Sequence, residues 1–443
     1  MAIETDRGII QMSVLTANGA EGATGEAPPH LPLIKVAAVG VGNALEFYDF
    51  LSFSFFAIQI GHTFFPVAQT KNGLLYTLAT FGVGFITRPL GGWIIGAYAD
   101  RVGRKPAMML SFALMGVAIT GLALTPGYAQ IGVAAPILLV MFRLIQGFAL
   151  GGEVGPSTAF LIEAAPKAKR GLYVGLQYAT QDLSVLVAGL VGFTLTALLS
   201  PALLDAWGWR LAFLLGVAIV PLGLMIRRNL PETFGADHAA GATKPSAAAH
   251  APIFILGVIM LGAACIAYYG IEYINTYAQD TLHLSVRLAF GATIILGAVS
   301  VAADLFGGVM TDRVGRKPVM ITAAALVLII ILPAFMLLNR FPSASVIFAV
   351  TAVLGVLSAI ISSSALIAIT ENLPAAVRSG VLGTLYAVAM SAFGGTTQFV
   401  AKGLIVLTHN PLAPAWYITG AMAIGLVAMG IIKETAPGKV GAR

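Results

Sequence analysis

Long apolar stretches separated by short charged gaps run the length of this chain, and twelve of them can be placed, with approximate cores at residues 34–59, 73–98, 107–125, 132–158, 171–199, 209–226, 252–277, 285–310, 319–337, 343–369, 380–407 and 413–431. A helix needs ~20 mainly apolar residues to cross a bilayer, and each stretch is close to that length. The runs are continuous rather than alternating with period two, which excludes a spanning β-barrel. The pattern predicts an all-α membrane protein of twelve transmembrane helices, spans 1 to 12. Residues 1–31 read as a cytoplasmic tail, 32–227 as a first six-helix bundle and 228–250 as a polar linker. Residues 251–432 read as a second bundle and 433–443 as a cytoplasmic tail.

The polar gaps repeat. Gly96-Ala-Tyr-Ala-Asp100-Arg101-Val-Gly103-Arg104-Lys105-Pro106 follows span 2, and Gly308-Val-Met-Thr-Asp312-Arg313-Val-Gly315-Arg316-Lys317-Pro318 follows span 8, about half the chain later. Glu163-Ala-Ala-Pro166-Lys-Ala-Lys-Arg170-Gly171 after span 4 is echoed by Glu371-Asn-Leu-Pro374-Ala-Ala-Val-Arg378-Ser-Gly380 after span 10. Pro231-Glu232-Thr233 after span 6 is echoed by Glu434-Thr435 after span 12. Matched pairs in one order point to an internal repeat. Two six-helix halves related by an axis along the membrane normal follow, an arrangement that suits a transporter.

Composition agrees with a bilayer-spanning chain. Of 443 residues, 58% are hydrophobic and 10% charged, against roughly 25% charged in soluble domains, and the mean hydropathy is +0.90. Fifty glycines suit close helix approach in lipid. The net charge of +6 does not mark a nucleic-acid binder. With a cytoplasmic N-terminus, 18 of the 25 Lys and Arg fall in the tails and the loops after even-numbered spans, which is the positive-inside bias and sets both termini in the cytoplasm. Cys265 is the sole cysteine, so no intrachain disulfide can form. None of the six histidines falls in a predicted span, which argues against an intramembrane metal or a histidine relay. Gly151-Gly152 lacks the Lys-Ser/Thr of a phosphate loop, and no nucleophile–base set stands out, so neither an enzyme nor a cofactor is expected.

Ionisable groups inside spans cost about 2.5–3.5 kcal/mol on insertion scales and are paired, solvated or functional. Counting from helix ends places Glu46, Asp49, Arg143 and Asp182 near mid-membrane. Asn43, Glu46 and Phe50 share one face of span 1; Arg143, Gln146 and Leu150 share one face of span 4; Gln177, Gln181 and Ser184 share one of span 5. Arg88 lies toward the cytoplasmic third of span 2. Lys402, near the outer end of span 11, reads as a snorkelling side chain, and Glu272 as a wet residue near the outer end of span 7.

The repeated loop block resembles the signature of the major facilitator superfamily. Within it, the chain resembles the metabolite:proton symporter family, and most closely its citrate-type carriers. The supporting strings are Gly42-Asn43-Ala-Leu-Glu46-Phe-Tyr48-Asp49-Phe50, Arg88-Pro89-Leu-Gly91-Gly92 and Arg143-Leu-Ile-Gln146-Gly147-Phe-Ala-Leu-Gly151-Gly152-Glu153. The similarity runs from about residue 36 to 435. Asp182 and Glu272 depart from it, adding acidic groups where a citrate carrier is expected to be neutral.

The resemblance implies a monomeric carrier in a bacterial inner membrane that imports a small organic acid with protons by alternating access, needing no other cofactor and no nucleic acid. It also implies that spans 1, 4, 5, 7, 10 and 11 line a central cavity. Asp49 and Arg143 are expected to form the proton-coupling pair, with Glu46 as a second carboxylate. Asn43, Tyr48, Arg88, Arg143, Gln146, Gln177, Gln181, Asp182 and Tyr269 are expected to meet substrate. Asp100, Arg101, Arg104, Lys105, Glu153, Glu163 and Arg170 are expected to gate the cytoplasmic side of one half, and Asp312, Arg313, Arg316, Glu371 and Arg378 that of the other. A symporter of zwitterionic osmolytes or sugars, and an uncoupled facilitator or receptor, are the alternatives.

Overall fold

The computed structural model describes residues 44, 47–65, 73–102, 104–151, 158, 161–162, 165–228, 247–374 and 378–436. Expectations at Asn43, Glu46, Glu153 and Glu163 fall outside these residues, as do those for the tail at 1–31, and nothing is said of the side chains of Asp100, Arg101, Arg104 and Lys105. Among the described residues every regular element is a helix. Seven helices are long and apolar enough to cross a membrane, in spans 2, 5, 7, 8, 9, 10 and 12. Met109–Leu124 and Ala134–Leu150 are shorter apolar helices at spans 3 and 4. Helical residues 47–64, Trp209–Arg228 and Arg378–Thr408 stand at spans 1, 6 and 11.

Glycine sets how closely the helices approach. A Cβ on Gly147 of span 4 would lie 1.5 Å from the Gly84 carbonyl oxygen of span 2, and one on Gly151 would lie 2.0 Å from the Arg88 oxygen. Spans 2 and 4 therefore pack backbone on backbone, which any side chain at these positions would prevent. The two halves meet mainly along spans 5 and 8, Arg170–Leu198 and Val286–Val314. There Gly171 packs on Gly308, Gly175 on Asp304, and Gly297 on Leu186.

Breaks in the helices fall where halves or spans touch. Span 2 is interrupted at Thr87, between Gly73–Ile86 and Arg88–Val102, and the Thr87 hydroxyl donates to the Leu144 carbonyl at 2.6 Å. Span 11 contains a π-turn, Met390–Gly394, and Ser391 within it donates to the Phe85 carbonyl of span 2 at 2.6 Å. Such bulges inside helices recur at functional sites. Pro221, Pro252 and Pro333 sit inside helices.

Several boundaries differ from the sequence reading. Span 1 continues to Phe64, so His62 lies within a helix, where its ring meets Asp205 at 3.2 Å on the exposed surface. The helix of span 7 begins at Ala247, inside the expected linker. The second loop block is almost all helix: span 8 runs to Val314 and span 9 begins at Arg316, with only Gly315 between them. Gly315 has φ +117°, a conformation that only glycine adopts at little cost. That requirement explains one glycine of the repeated block.

Candidate transport and coupling site

Span 4 is placed by its glycine contacts so that Arg143 and Gln146, one turn apart, point at span 1. Arg143, Gln146 and Asp49 are fully buried. The expected direct Asp49–Arg143 ion pair is not what forms. Gln146 is interposed: its carbonyl accepts from Arg143 Nη1 at 2.8 Å, and its amide donates to Asp49 Oδ2. Arg143 Nη2 also donates to the Phe81 carbonyl at 3.2 Å, whereas Asp49 Oδ1 has no partner. The guanidinium lies over the rings of Phe50 and Phe53, 4.3 and 4.4 Å from their centroids. Arg88 lies over Phe85 at 4.1 Å and Phe50 at 4.7 Å. Aromatic faces attract cations most strongly when water is excluded, so this wall holds two positive charges that lipid would reject.

A small cavity, about 30 Å³, lies between the halves. Phe47, Tyr178 and Gln181 line it from the first half, and Cys265, Tyr268 and Tyr269 from the second. Tyr269 packs edge-on against Phe85 and Phe81, with ring centroids 5.8 and 6.2 Å apart. The aromatic wall therefore stands between the cavity and the Asp49–Gln146–Arg143 group. On the other side, the Tyr268 hydroxyl of span 7 donates to Asp182 Oδ1 of span 5 at 2.7 Å, joining the halves.

At the end of the bundle that carries the loop block, Asp312 of span 8 accepts from the backbone N–H groups of Gly171 and Leu172, at 2.9 and 3.0 Å. Those are among the unpaired donors at the start of the span 5 helix, where a carboxylate is favoured both by hydrogen bonding and by the helix dipole. Arg316 is fully buried and grips Glu371 with two nitrogens, at 3.0 and 3.1 Å, while also meeting Asp312 at 3.2 Å. Arg170, from the first half, reaches Glu371 at 3.7 Å. Glu434 accepts from the N–H groups of Arg316 and Lys317, both at 3.0 Å, and so caps span 9. Burial raises the Glu434 carboxyl, but hydrogen bonds from four backbone N–H groups outweigh it and hold the group below its ordinary value. Arg378 donates to the Thr370 and Leu373 carbonyls at the end of span 10. At the opposite end Arg287 donates to the Thr196 carbonyl at 2.9 Å and Phe56 packs on Phe290, so the halves meet at both ends.

The predicted residues separate on this geometry. Gln181, Tyr269 and, through Tyr268, Asp182 belong to the cavity; Gln146, Arg143 and Asp49 form the buried group behind the wall, with Arg88 beside them. Tyr48 points the other way, donating to the Ala212 carbonyl of span 6 at 3.0 Å. Gln177 accepts from Thr158 at 3.0 Å and does not line the cavity. Arg313 is exposed and has no ion pair or hydrogen bond with another described residue. Glu272 is not wet: it is buried at 1% exposure, because the helical segment Ile274–Asp280 carries span 7 two turns beyond it. Lys402 does not snorkel alone, but pairs with Asp280 at 2.5 Å. Sequence reasoning missed Asp304, fully buried in mid-span 8, and Tyr268. An acid within an apolar run was the signal for the first. Among the described residues no three His, Cys, Asp or Glu side chains converge as metal ligands.

Two six-helix halves closing over a buried polar centre define a membrane carrier, and residues 39–304 match the Major Facilitator Superfamily, to which this chain belongs. Among relatives, it is 34% identical to the citrate-proton symporter of Klebsiella pneumoniae, over 89% of this chain and 90% of that protein. It is 33% identical to the alpha-ketoglutarate permease of Escherichia coli (strain K12), over 87% and 90% respectively. The crystal structure of a D-xylose-proton symporter superposes with a TM-score of 0.71 at 19% identity, over 91% of this chain and 98% of that one.

Proposed function

We propose that this chain is a proton-coupled symporter that imports a small organic acid, of the di- or tricarboxylate class, by alternating access. The single observation that carries the reading is the buried Asp49–Gln146–Arg143 relay. A carboxylate and a guanidinium inside a bilayer are worth their insertion cost when their pairing changes during the cycle. Gln146 makes that change possible, because one amide serves both partners. When an incoming carboxylate engages Arg143 in its planar fork, Gln146 loses its donor, can turn, and releases Asp49. Asp49 Oδ1, the oxygen without a protein partner, is where the proton rides. Release of substrate restores the relay and expels the proton on the cytoplasmic side.

The duplicated loop block biases the other end of the cycle. Asp312 on the span 5 N–H groups and Arg170 on Glu371 hold the cytoplasmic ends of the two halves together and must break when that side opens, while Arg316 fixes Asp312 and Glu371 within the second half; contacts made in one state only are how two states of a carrier are held apart in energy. Gln181, Tyr268 and Tyr269 contact substrate in the cavity. Residues 32–227 and 251–432 move as the two rocking bundles. The distribution of Lys and Arg supports cytoplasmic termini in a bacterial inner membrane, and the protein works as a monomer with protons as its only co-substrate.

In proteoliposomes with an imposed inward proton gradient, uptake of citrate, 2-oxoglutarate or a related acid should exceed equilibrium and collapse with a protonophore. Asp49→Asn should abolish accumulation while leaving counterflow exchange. Accumulation that survives Asp49→Asn would remove Asp49 from the coupling step.

A further inference from the structure

The relay in spans 1 and 4 leaves a second group of buried acids unexplained. Asp182 of span 5, Glu272 of span 7 and Asp304 of span 8 are each at most 2% exposed. No lysine, arginine or histidine pairs with any of them among the described residues. Asp182 and Asp304 stand on spans 5 and 8 where the halves touch, with Gly175 packed on the Asp304 backbone and Gly297 on that of Leu186. Yet Asp182 Oδ2, both oxygens of Asp304 and both oxygens of Glu272 have no hydrogen-bond partner: the nearby hydroxyls of Ser363 and Tyr268 donate to the Ala359 carbonyl and to Asp182 Oδ1 instead. Two ionised carboxylates offer each other only acceptors. A hydrogen bond between them exists only with a proton in it.

From this geometry we infer that Asp182 and Asp304 form a second proton-binding site, shared across the two halves and governed by whether spans 5 and 8 are in contact. The proton lies between Asp182 Oδ2 and Asp304. Tyr268 holds the opposite oxygen of Asp182 from span 7, and Glu272 adds a further carboxyl nearby. The other titratable groups around the pair are Tyr178, Tyr269, Cys265 and Tyr386. Arg88 acts on Tyr269, Cys265 and Tyr386 rather than on the acids. With no cation to neutralise either acid, like charges held this close cannot both ionise. When the halves separate, water reaches the pair, the proton leaves to it as hydronium, and the carboxylates are solvated. Re-forming the span 5–span 8 contact demands a proton back. The site therefore links proton uptake to closure itself, whereas Asp49 links it to substrate. Its part in transport rests on the proton-coupled reading above; the presence of the proton does not.

The test is infrared spectroscopy of the purified full chain in lipid, at neutral pH and in H₂O against D₂O, reading the carboxylic-acid C=O stretch. The expected result is a protonated-carboxyl component that is lost in Asp182→Asn and in Asp304→Asn and kept in Asp49→Asn. Asn is a neutral isostere of a protonated Asp, so Asp304→Asn should keep or raise the thermal unfolding temperature, and its proton-to-substrate flux ratio should fall. A wild-type spectrum with no component removed by either substitution would overturn the inference. So would an Asp304→Asn protein that does not fold, since a neutral side chain would then be intolerable there. Loss of binding of an amine-bearing solute in Asp304→Asn, with no protonated component in the wild type, would instead assign the pair to a cationic substrate group. Asp49→Asn tests the span 1 relay separately, because the infrared component persists there whatever its transport result.

Discussion

Removing the carboxylate of Asp312 should open the cytoplasmic side. Asp312 accepts two backbone N–H groups of span 5 from the opposite half, and it is the one carboxylate described as doing so. Each hydrogen bond to a charged group contributes about 1.5–3 kcal/mol. Water replaces part of that once the ends separate, and Arg316 keeps Glu371 when Asp312 is lost. A net loss of about 2–4 kcal/mol from the closed state remains, which is roughly a 30- to 700-fold shift toward open. Asp312→Ala should show the full effect and Asp312→Asn, which keeps one neutral acceptor, a smaller one. Cys265 supplies the reporter, being the sole cysteine and lining the cavity at 8% exposure. In inside-out vesicles a membrane-impermeant maleimide reaches it only through the cytoplasmic opening, so its labelling rate follows the open population. The rate should rise in the order wild type, Asp312→Asn, Asp312→Ala. An unchanged rate in a folded Asp312→Ala protein would show that this cap does not hold the halves together.

Three further outcomes follow from particular contacts. Gly147→Ala would force a methyl to 1.5 Å from the Gly84 oxygen, so spans 2 and 4 must part, and detergent-solubilised protein should lose its monodisperse peak on size exclusion. Gly315→Ala places a side chain at φ +117° and 3.0 Å from Glu434, at a cost of about 1–3 kcal/mol for the backbone alone, and should lower the thermal midpoint measurably. Because the folded state holds Glu434 below its ordinary value of 4.5, its contribution to stability is complete above that pH and lost as pH falls through the depressed value. Glu434→Gln should accordingly destabilise the protein at neutral pH and flatten the acid limb of its stability profile, and parallel acid limbs in the two proteins would contradict this.

Among the described residues, hydropathy placed most span ends to within a few residues, because a bilayer demands length and apolarity whatever the neighbours. The loop block was harder. The sequence shows where polarity begins, but Gly315 alone separates two helices that carry the charged block into their ends. The buried polar group was legible as types and faces: an acid in span 1, and an arginine and a glutamine one turn apart in span 4. Their connection was not legible, because a shared helix face does not say which of two side chains reaches a third. Tyr48 shows the same gap, since its position on span 1 is compatible with the cavity and only packing sends its hydroxyl to span 6. Glu272 was misplaced for a simpler reason: the predicted span already ran past it to 277, but nearness to that end was taken for exposure, and packing buries it.

The two halves repeat the loop block in sequence but differ in their buried polar residues, and on the proposed function this asymmetry bears on how substrate sits. The second loop block forms a full set of contacts at Asp312, Arg316 and Glu371, and the first carries the same residue types in the same order. Span 10, the counterpart of span 4, offers buried Thr351, Ser358, Ser362 and Ser364 where span 4 has Arg143 and Gln146. Hydroxyls can bind a substrate oxygen but cannot hold an exchangeable charge. Among the described residues the buried arginines of the mid-bundle, Arg88 and Arg143, belong to the first half, and the acids Glu272 and Asp304 to the second. Substrate must then sit polarised across the interface, its carboxylate toward spans 2 and 4 and its less acidic end toward spans 7 and 8. Dicarboxylates that carry a hydroxyl or keto group at one end should therefore outcompete symmetric ones of equal length in the same uptake assay, and equal competition by the symmetric acids would count against a one-sided site.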